Sequence, residues 1–559
     1  MVKMFGSRRY SHSLSLFSVF GLVTSAFAAD LAAWKSRSVY QVMTDRFART
    51  DGSTDAPCNT TAGLYCGGTW RGLINHLDYI QGMGFDAIMI SPVIKNVEGR
   101  VSYGEAYHGY WQEDMYALNE HFGTHQDLLD LSAALHKRDM FLMVDSVINN
   151  MAYITNGSDP ATSVDYSVFT PFNSKDYFHP YCEITDYNNY PLAQRCWTGD
   201  DIVPLPDLKT EDSTVQKLLE DWAKDLIANY SVDGLRIDAA KHVTPSFLPK
   251  FYDAAGVYMT GEVYEYNADI ICKYQKDYLP SVPNYPVYNA IMQTFTTGNT
   301  TALTNEITVM KETCQDVTAL ASFSENHDVP RFASIQKDLA LAKNVITFTI
   351  LADGIPMIYQ GQEQHFGVET PPNKAGTPAN REALWLSKYD TSAPLYKLTA
   401  TLNKIRKQAI RVDPTYVDYK SYPIWTGPSE LAIRKGQEGQ HVIMVLSTGG
   451  SKSGDYTLTL PVTYEQGIEI MEVLNCVKYN LTENGELVVP MSKGEPRVFF
   501  PADKLDGSGL CGYANSSAVN GTNGAFASAA SDGIYSRSLS TLWLALFTSF
   551  MAGAAVFMV

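Results

Sequence analysis

The sequence predicts an α/β protein: a parallel (β/α)8 TIM barrel, a subdomain inserted after its third strand, and a C-terminal antiparallel β-sandwich. Three observations predict it. Short apolar runs alternate with helical patterns from residue 38 to about residue 361, one connection within that alternation is far too long, and after about residue 410 the pattern changes to short alternating runs. Repeated strand–helix alternation closes most simply as a parallel barrel. A doubly wound open sheet is the alternative, but no GxGxxG or Walker A signature supports it.

Candidate strands run over residues 39–47, 87–92, 141–147, 234–238, 258–263, 320–323 and 355–359, with an eighth, weaker in pattern, expected over 287–295. Helices fall between them. In 127–138, Leu128, Leu131 and Leu135 recur at helical spacing, and in 214–230 Val215, Leu218, Leu219, Trp222, Leu226 and Ile227 do the same. From Asn149 to the helix at Thr214 the chain is rich in Tyr, Asn, Asp and Pro and holds Cys182 and Cys196. A segment that long inside a barrel marks a functional excursion, read here as a subdomain over the barrel mouth. The runs 431–434, 441–447, 456–460 and 497–500 read as strands of an antiparallel sandwich. The boundaries expected are 30–148 and 206–410 for the barrel, 149–205 for the insert and 411–512 for the sandwich.

The two ends read as export and anchoring signals. Lys3, Arg8 and Arg9 precede an apolar stretch over 14–27, and Ala26 and Ala28 flank a cleavage site before Asp30, so residues 1–29 read as a secretory signal. Residues 542–559 are apolar or weakly polar without charge and follow a small, polar stretch. Residues 513–559 therefore read as a linker and a GPI-attachment signal, with attachment between Asn523 and Gly533. A single transmembrane helix is the competing reading; the lack of a basic cluster favours the anchor. The location expected is the outer face of the plasma membrane, or the cell wall.

Composition and cysteines agree with export. The 559 residues are 18% charged and 45% hydrophobic, with a formal net charge of -17. An acidic chain gains nothing from counterion release on a polyanion, so nucleic acid is not an expected partner, and no obligate protein partner is implied. Aromatic residues reach 12%, enough for a large core or for sugar stacking. Cys58, Cys66, Cys182, Cys196, Cys272, Cys314, Cys476 and Cys511 make an even count without CxxC spacing, which favours disulfides over zinc. Sequential pairing is the simplest of roughly a hundred connectivities. Sequons at Asn59, Asn156, Asn229, Asn299, Asn480, Asn515 and Asn520 permit N-glycosylation, with Asn229 expected to be poorly exposed.

The chemistry concentrates at strand ends. In Gly234-Leu235-Arg236-Ile237-Asp238 the alternation sends Leu235 and Ile237 outward and Arg236 and Asp238 into the barrel. Two charges there are costly unless paired, so they form either a structural ion pair or part of a site. Glu262 ends the next strand and Asp328 a later one. Three carboxylates at one barrel mouth suit glycoside chemistry, which in its retaining form uses a carboxylate nucleophile and a protonated carboxyl about 5 Å apart.

Four segments, 145–149, 234–242, 261–263 and 323–328, resemble the conserved regions of the α-amylase family in order and spacing. The stretches 106–111, 205–208 and 378–382 and the cysteine pattern resemble it too, and the similarity runs from about residue 34 to 511. The resemblance implies that Asp238 is the nucleophile and Glu262 the general acid and then base. Asp328 would hold the hydroxyls of the distorted −1 glucose and help raise the pKa of Glu262. Arg236 would orient Asp238 and hold it ionised. His327 and His108 would bind −1 hydroxyls with Tyr110 stacking on that ring. Lys241 and His242 would lie on the +1 and +2 side, and Tyr103, Trp111, Asn150 and Arg381 complete the expected substrate contacts. Calcium is implied between barrel and insert, held by Asn149 and Asp207 side chains and by carbonyls at Gln194 and His242, all hard oxygen donors.

Two positions depart from the family. Asn150 stands where a −1 subsite His is usual, and Thr377 where an Asp contacts a distal donor glucose. Both changes weaken donor-side contacts that assist hydrolysis. A group of GPI-anchored fungal members resembles this chain in the missing His and the anchor, and is associated with 4-α-glucanotransferase activity and cell-wall α-glucan. Transfer between α-1,4-glucan chains is therefore the function expected. A hydrolytic α-amylase is the first alternative, and a non-catalytic carbohydrate-binding protein is disfavoured by the intact carboxylates.

Overall fold

The computed structural model describes residues 29–370, 376–461 and 463–515. Of the expected secretory signal over 1–29 all but Ala29, and of the expected linker and anchor signal over 513–559 all beyond 515, including Asn520, lie outside the described residues. Seven parallel strands form the barrel: β1 (Val39–Val42), β2 (Ala87–Ile90), β3 (Phe141–Val147), β4 (Gly234–Asp238), β5 (Tyr258–Gly261), β6 (Ala321–Ser322) and β7 (Ile355–Tyr359). Their spatial order is β6-β7-β1-β2-β3-β4-β5, which leaves a seam between β5 and β6.

Residues 281–283 fill that seam. Ser281 bridges Thr260 and Pro283 bridges Ala321, both parallel. Gly261 N donates to Ser281 O at 3.1 Å and Ala321 N to Val282 O at 3.1 Å. The eighth strand expected over 287–295 is corrected: those residues belong to the helix Tyr285–Thr297. Asn284 caps it by accepting from Val287 N, Pro286 sits in its first turn, and Val287, Ala290, Ile291, Thr294 and Phe295 are buried at helical spacing. Pro283 has no N–H to extend a ladder, so the closing segment stays short. The first strand also ends early, because Thr44–Phe47 is a helical turn.

Alternation sorts each strand between two cores. Ile88, Leu142, Val144, Leu235 and Ile237 join the large cluster beneath the surrounding helices. Val39, Ala87, Met89, Met143, Tyr258 and Met357 form the barrel interior. Register then sets the layers: Asp145 lies beside Arg236, Arg236 beside Thr260, and Val147 beside Asp238. An apolar floor is thus followed upward by a charged layer and then by Asp238 at the rim. Outside, the helix Ser213–Tyr230 is capped by Asp212, which accepts from Thr214 N and Val215 N, and it buries Val215, Leu219, Trp222 and Leu226 against the strands.

The sandwich has a six-stranded sheet ordered β8-β9-β10-β15-β12-β13 and a two-stranded sheet β11-β14. These are β8 (Tyr422–Thr426), β9 (Glu430–Lys435), β10 (Val442–Ser447), β11 (Tyr456–Leu460), β12 (Ile470–Glu472), β13 (Val477–Tyr479), β14 (Leu487–Met491) and β15 (Arg497–Pro501). Ala432, Ile443, Val445 and Phe499 pack against Leu458, Leu460, Leu487 and Val489. The opposite face, with Leu431, Ile433, Met444 and Val498, joins the barrel cluster. A buried pair at the junction, Lys435 Nζ to Asp353 Oδ1 at 2.8 Å, fixes one domain on the other.

The cysteines pair sequentially, 58–66, 182–196, 272–314 and 476–511. Asn59, Asn156, Asn229, Asn299, Asn480 and Asn515 are all exposed, so the expectation of poor exposure at Asn229 is corrected. The helix that ends at Tyr230 turns Tyr230, not Asn229, toward the core.

Candidate active site

One guanidinium organises the charged layer. Arg236 Nη1 donates to Asp145 Oδ1 at 2.9 Å and Oδ2 at 3.0 Å, and to Asp238 Oδ1 at 2.7 Å. Its Nη2 lies 2.9 Å from Glu262 Oε2. Strand register explains the first contact, and Glu262 follows directly on β5. Ala239, in the left-handed region at φ 48°, turns the chain after β4 and donates its N–H to Glu262 Oε2 at 3.1 Å. Backbone held in that region by a side-chain-bearing residue is found where surroundings over-determine it, as at catalytic centres.

Three carboxylates on one cation cannot all ionise easily when desolvated. The side chains of Asp145, Asp238 and Glu262 are 1%, 19% and 14% exposed. Burial pushes Asp238 well above the usual carboxylate range, and Arg236 opposes that shift. Burial likewise lifts Asp145 to about 6. Burial thus disfavours the charge on Asp145 and Asp238, and Arg236 is the cation that offsets it for both. Among the described residues, Asp238 Oδ2 and Glu262 Oε1 make no hydrogen bond, so one oxygen of each carboxylate is unengaged by the protein. Holding both groups on one fork is compatible with the roughly 5 Å separation of a retaining pair.

The subsite side chains are pre-oriented. Gln41 Nε2 donates to His327 Nδ1 at 2.7 Å, so His327 Nε2 carries the proton; it lies 2.8 Å from Tyr110 Oη and 3.1 Å from Asp328 Oδ2. Tyr110 Oη donates to Asp145 Oδ2 at 2.7 Å. Tyr110 N donates to His108 Nδ1 at 3.0 Å, which leaves His108 Nε2–H for a ligand. Burial holds both imidazoles neutral, well below the usual range. Arg381 is 7% exposed and donates to Asp328 Oδ1 at 3.2 Å and to His327 O at 3.0 Å, so it positions Asp328 from behind.

The two departures are both turned onto the backbone. Asn150 is buried, and its amide donates to Met151 O at 3.2 Å. Thr377 Oγ1 donates to His327 O at 3.2 Å. On the donor side Tyr103 is exposed, with its hydroxyl on Asp200 at 2.9 Å and its ring edge-on to Trp111 at 5.8 Å.

On the side expected to receive the acceptor lies a cavity of about 480 Å³ lined by Tyr187, Lys241, His242, Glu262, Tyr264 and Tyr266, among others. Tyr187, Tyr264 and Tyr266 are 52%, 44% and 44% exposed. Tyr264 and Tyr266 join hydroxyls at 3.0 Å, and the Tyr264 ring leans on buried Tyr285 at 4.5 Å. Lys241 Nζ lies 3.6 Å from Glu265, and His242 Nδ1 is 2.8 Å from Ala193 O. The sequence assigns no role to the three tyrosines or to Asp145. The available signal was Tyr264 and Tyr266 standing just behind Gly261-Glu262-Val263.

The expected calcium ligands meet where the insert leaves and rejoins the barrel. Asn149 Nδ2 donates to Asp207 Oδ1 at 3.1 Å, and Gln194 Nε2 reaches Lys241 O, beside His242, at 3.5 Å. Asp207, 1% exposed, has His179 at 2.7 Å as its cationic partner, and burial lifts its carboxyl to about 7. A buried carboxylate on which burial presses this hard, with the Asn149 amide beside it, is a hard-oxygen donor of the kind calcium takes. Among the described residues no three His, Cys, Asp or Glu side chains converge as a softer metal would need.

A family model described as the α-amylase catalytic domain matches residues 41–385, and one described as α-amylase domain C matches 423–519. An alpha-amylase 2 of Schwanniomyces occidentalis is 47% identical over 484 residues, covering 86% of this chain and 93% of that protein. The structure of an α-amylase from Malbranchea cinnamomea is 49% identical with a TM-score of 0.82, covering 86% of this chain and 100% of that one. The cyclomaltodextrin glucanotransferase CldA is 25% identical with a TM-score of 0.71, covering 83% and 98%.

Proposed function

Because the chain belongs to the α-amylase family of glycoside hydrolases and acts on α-1,4-glucosidic bonds, we propose that its main reaction is transfer of one α-1,4-glucan segment onto another. Asp238 Oδ2 attacks the anomeric carbon while Glu262 gives its proton to the glycosidic oxygen, and the leaving chain departs with a free 4-hydroxyl. Glu262, now a base, takes the proton of an incoming 4-hydroxyl. That oxygen bonds to the anomeric carbon, and Asp238 leaves as carboxylate, restoring the α configuration. Calcium would be held by Asn149, Asp207 and the carbonyls near Gln194 and His242, and would supply a counter-charge that ties the insert to the barrel.

What supports transfer is the acceptor cavity. Water and a sugar hydroxyl compete for one intermediate, and relative binding decides between them. Three exposed tyrosines beside the acid/base group offer stacking faces to a sugar and nothing comparable to water. The relative CldA is named a glucanotransferase on the same fold. The second reading, net hydrolysis, is favoured by the relatives named α-amylase.

With maltopentaose and calcium, transfer gives products longer than the substrate with little rise in reducing ends. Asn150→His is then expected to raise the hydrolytic share severalfold. Only shorter products, with reducing ends rising in step, would leave an anchored α-amylase. The same reading places the enzyme at the cell surface on a GPI lipid, with cell-wall α-glucan as its substrate. Phosphatidylinositol-specific phospholipase C should release it from membranes, and retention after digestion would favour a transmembrane tail.

A further inference from the structure

The sandwich carries a second depression, of about 490 Å³, which shares no lining residue with the acceptor cavity. Asp455, Tyr456, Asn475, Tyr479, Ser492 and Arg497 supply most of its chemistry, and it lies where β11 and β14 face the β12–β13 edge of the larger sheet. We propose that it is a second α-glucan-binding site, which holds one stretch of a polymer while another is processed at the barrel mouth.

The lining selects the ligand class. Arg497 is balanced by Asp455 and Glu472, and the whole chain carries -17, so a polyanion is disfavoured. The lining mixes charged, amide and hydroxyl groups with Val477, Pro490 and Met491, which suits neither a lipid nor an apolar peptide. Two tyrosine rings with a guanidinium, a carboxylate and an amide match a pyranose, which has apolar C–H faces and a rim of hydroxyls that both donate and accept. The volume accommodates roughly two or three hexose units.

The polar groups are already braced. Arg497 Nε donates to Pro490 O and Nη1 to Pro496 O, each at 3.2 Å, which leaves Nη2 for a ligand. Asn475 Nδ2 donates at 2.7 Å to Glu472, itself 1% exposed and also accepting the N–H groups of Leu474, Asn475 and Val498, so the Asn475 carbonyl is held in place. Tyr456 Oη donates to Glu430 at 2.6 Å, and the Tyr479 ring is edge-on to buried Phe499 at 5.6 Å. Groups fixed before binding lose little entropy when a ligand arrives. Two sites on one chain also gain from a polymer that can span them, and a short oligosaccharide cannot supply that gain.

The proposal rests on the α-glucan reading and not on the balance between transfer and hydrolysis. Glu262→Gln protein, which binds without turnover, is run by affinity electrophoresis through amylopectin, alone and with two sets of pocket changes. One set is Tyr479→Ala with Arg497→Ala. The other is Thr457→Trp, in which the indole at an exposed lining position fills the depression and removes none of its supports. Both sets are expected to weaken amylopectin retention roughly three- to tenfold. In the Glu262-containing enzyme the same changes should leave maltopentaose turnover within about twofold. Unchanged retention in both variants, or equal losses on amylopectin and maltopentaose, would overturn the site. A parent enzyme that turns over no maltopentaose would count against the catalytic reading, while retention in amylopectin still decides the pocket.

Discussion

Asp238→Asn is expected to lower kcat on maltopentaose on the order of 10,000-fold while the protein stays folded. The amide keeps an oxygen for Arg236 Nη1, now 2.7 Å from Asp238 Oδ1, but has no anionic oxygen to attack the anomeric carbon. Stability should hold or rise slightly. Burial works against the ionised form of Asp238, and Arg236 keeps Asp145 and Glu262 as partners. Removing Arg236 is a different experiment, because it would strand three carboxylates without a cation. A loss of turnover under about a hundredfold with an unchanged melting temperature would take the nucleophile role away from Asp238.

Chelation of calcium is expected to lower the melting temperature, and by more at pH 8 than at pH 5. Saturation at a hundred times Kd contributes about 2.7 kcal/mol, which in a protein of this size corresponds to roughly 2–4 °C. The pH dependence follows from Asp207. Its folded-state carboxyl sits at about 7 against an ordinary 3.8, because burial disfavours the charge. A folded state that holds the proton more tightly gains stability below 3.8, and that gain is lost as pH rises through about 7. The calcium-free protein therefore weakens between pH 5 and pH 8, and calcium compensates most where the carboxylate is ionised. Asp45 and Glu325, which burial lifts to about 6 and about 7, weaken the calcium-loaded and calcium-free forms alike, so the difference between forms reports on Asp207 together with His179, its partner at 2.7 Å. Asp207→Asn should remove the pH dependence of that difference. Equal chelator effects at pH 5 and pH 8 would rule out Asp207 as a ligand.

Transfer and a second glucan site are linked by one physical idea. An intermediate that waits for a sugar hydroxyl rather than water gains from anything that keeps chain ends nearby. On the proposed function the tyrosines at the barrel mouth would do so at atomic range, and the proposed site on the sandwich would do so at polymer range.

The sequence by itself determined the barrel and the C-terminal sheet domain, and it picked out the three carboxylates proposed here as catalytic. These are local facts: period-two alternation in 234–238 fixes which side chains enter the barrel, and strand ends fix which of them reach its mouth. It misassigned 287–295 because a short apolar run reads alike as strand or helix, and only the neighbouring strands show that residues 281–283 already close the barrel. Only the tertiary structure decided that Asp145 shares the guanidinium of Arg236, since that contact depends on register between strands 91 residues apart. Tyr187, Tyr264 and Tyr266 form one wall for the same reason: the insert folds back over β5, and no spacing along the chain records which exposed ring will face another. Local pattern sets what each segment is, and long-range packing sets which segments meet.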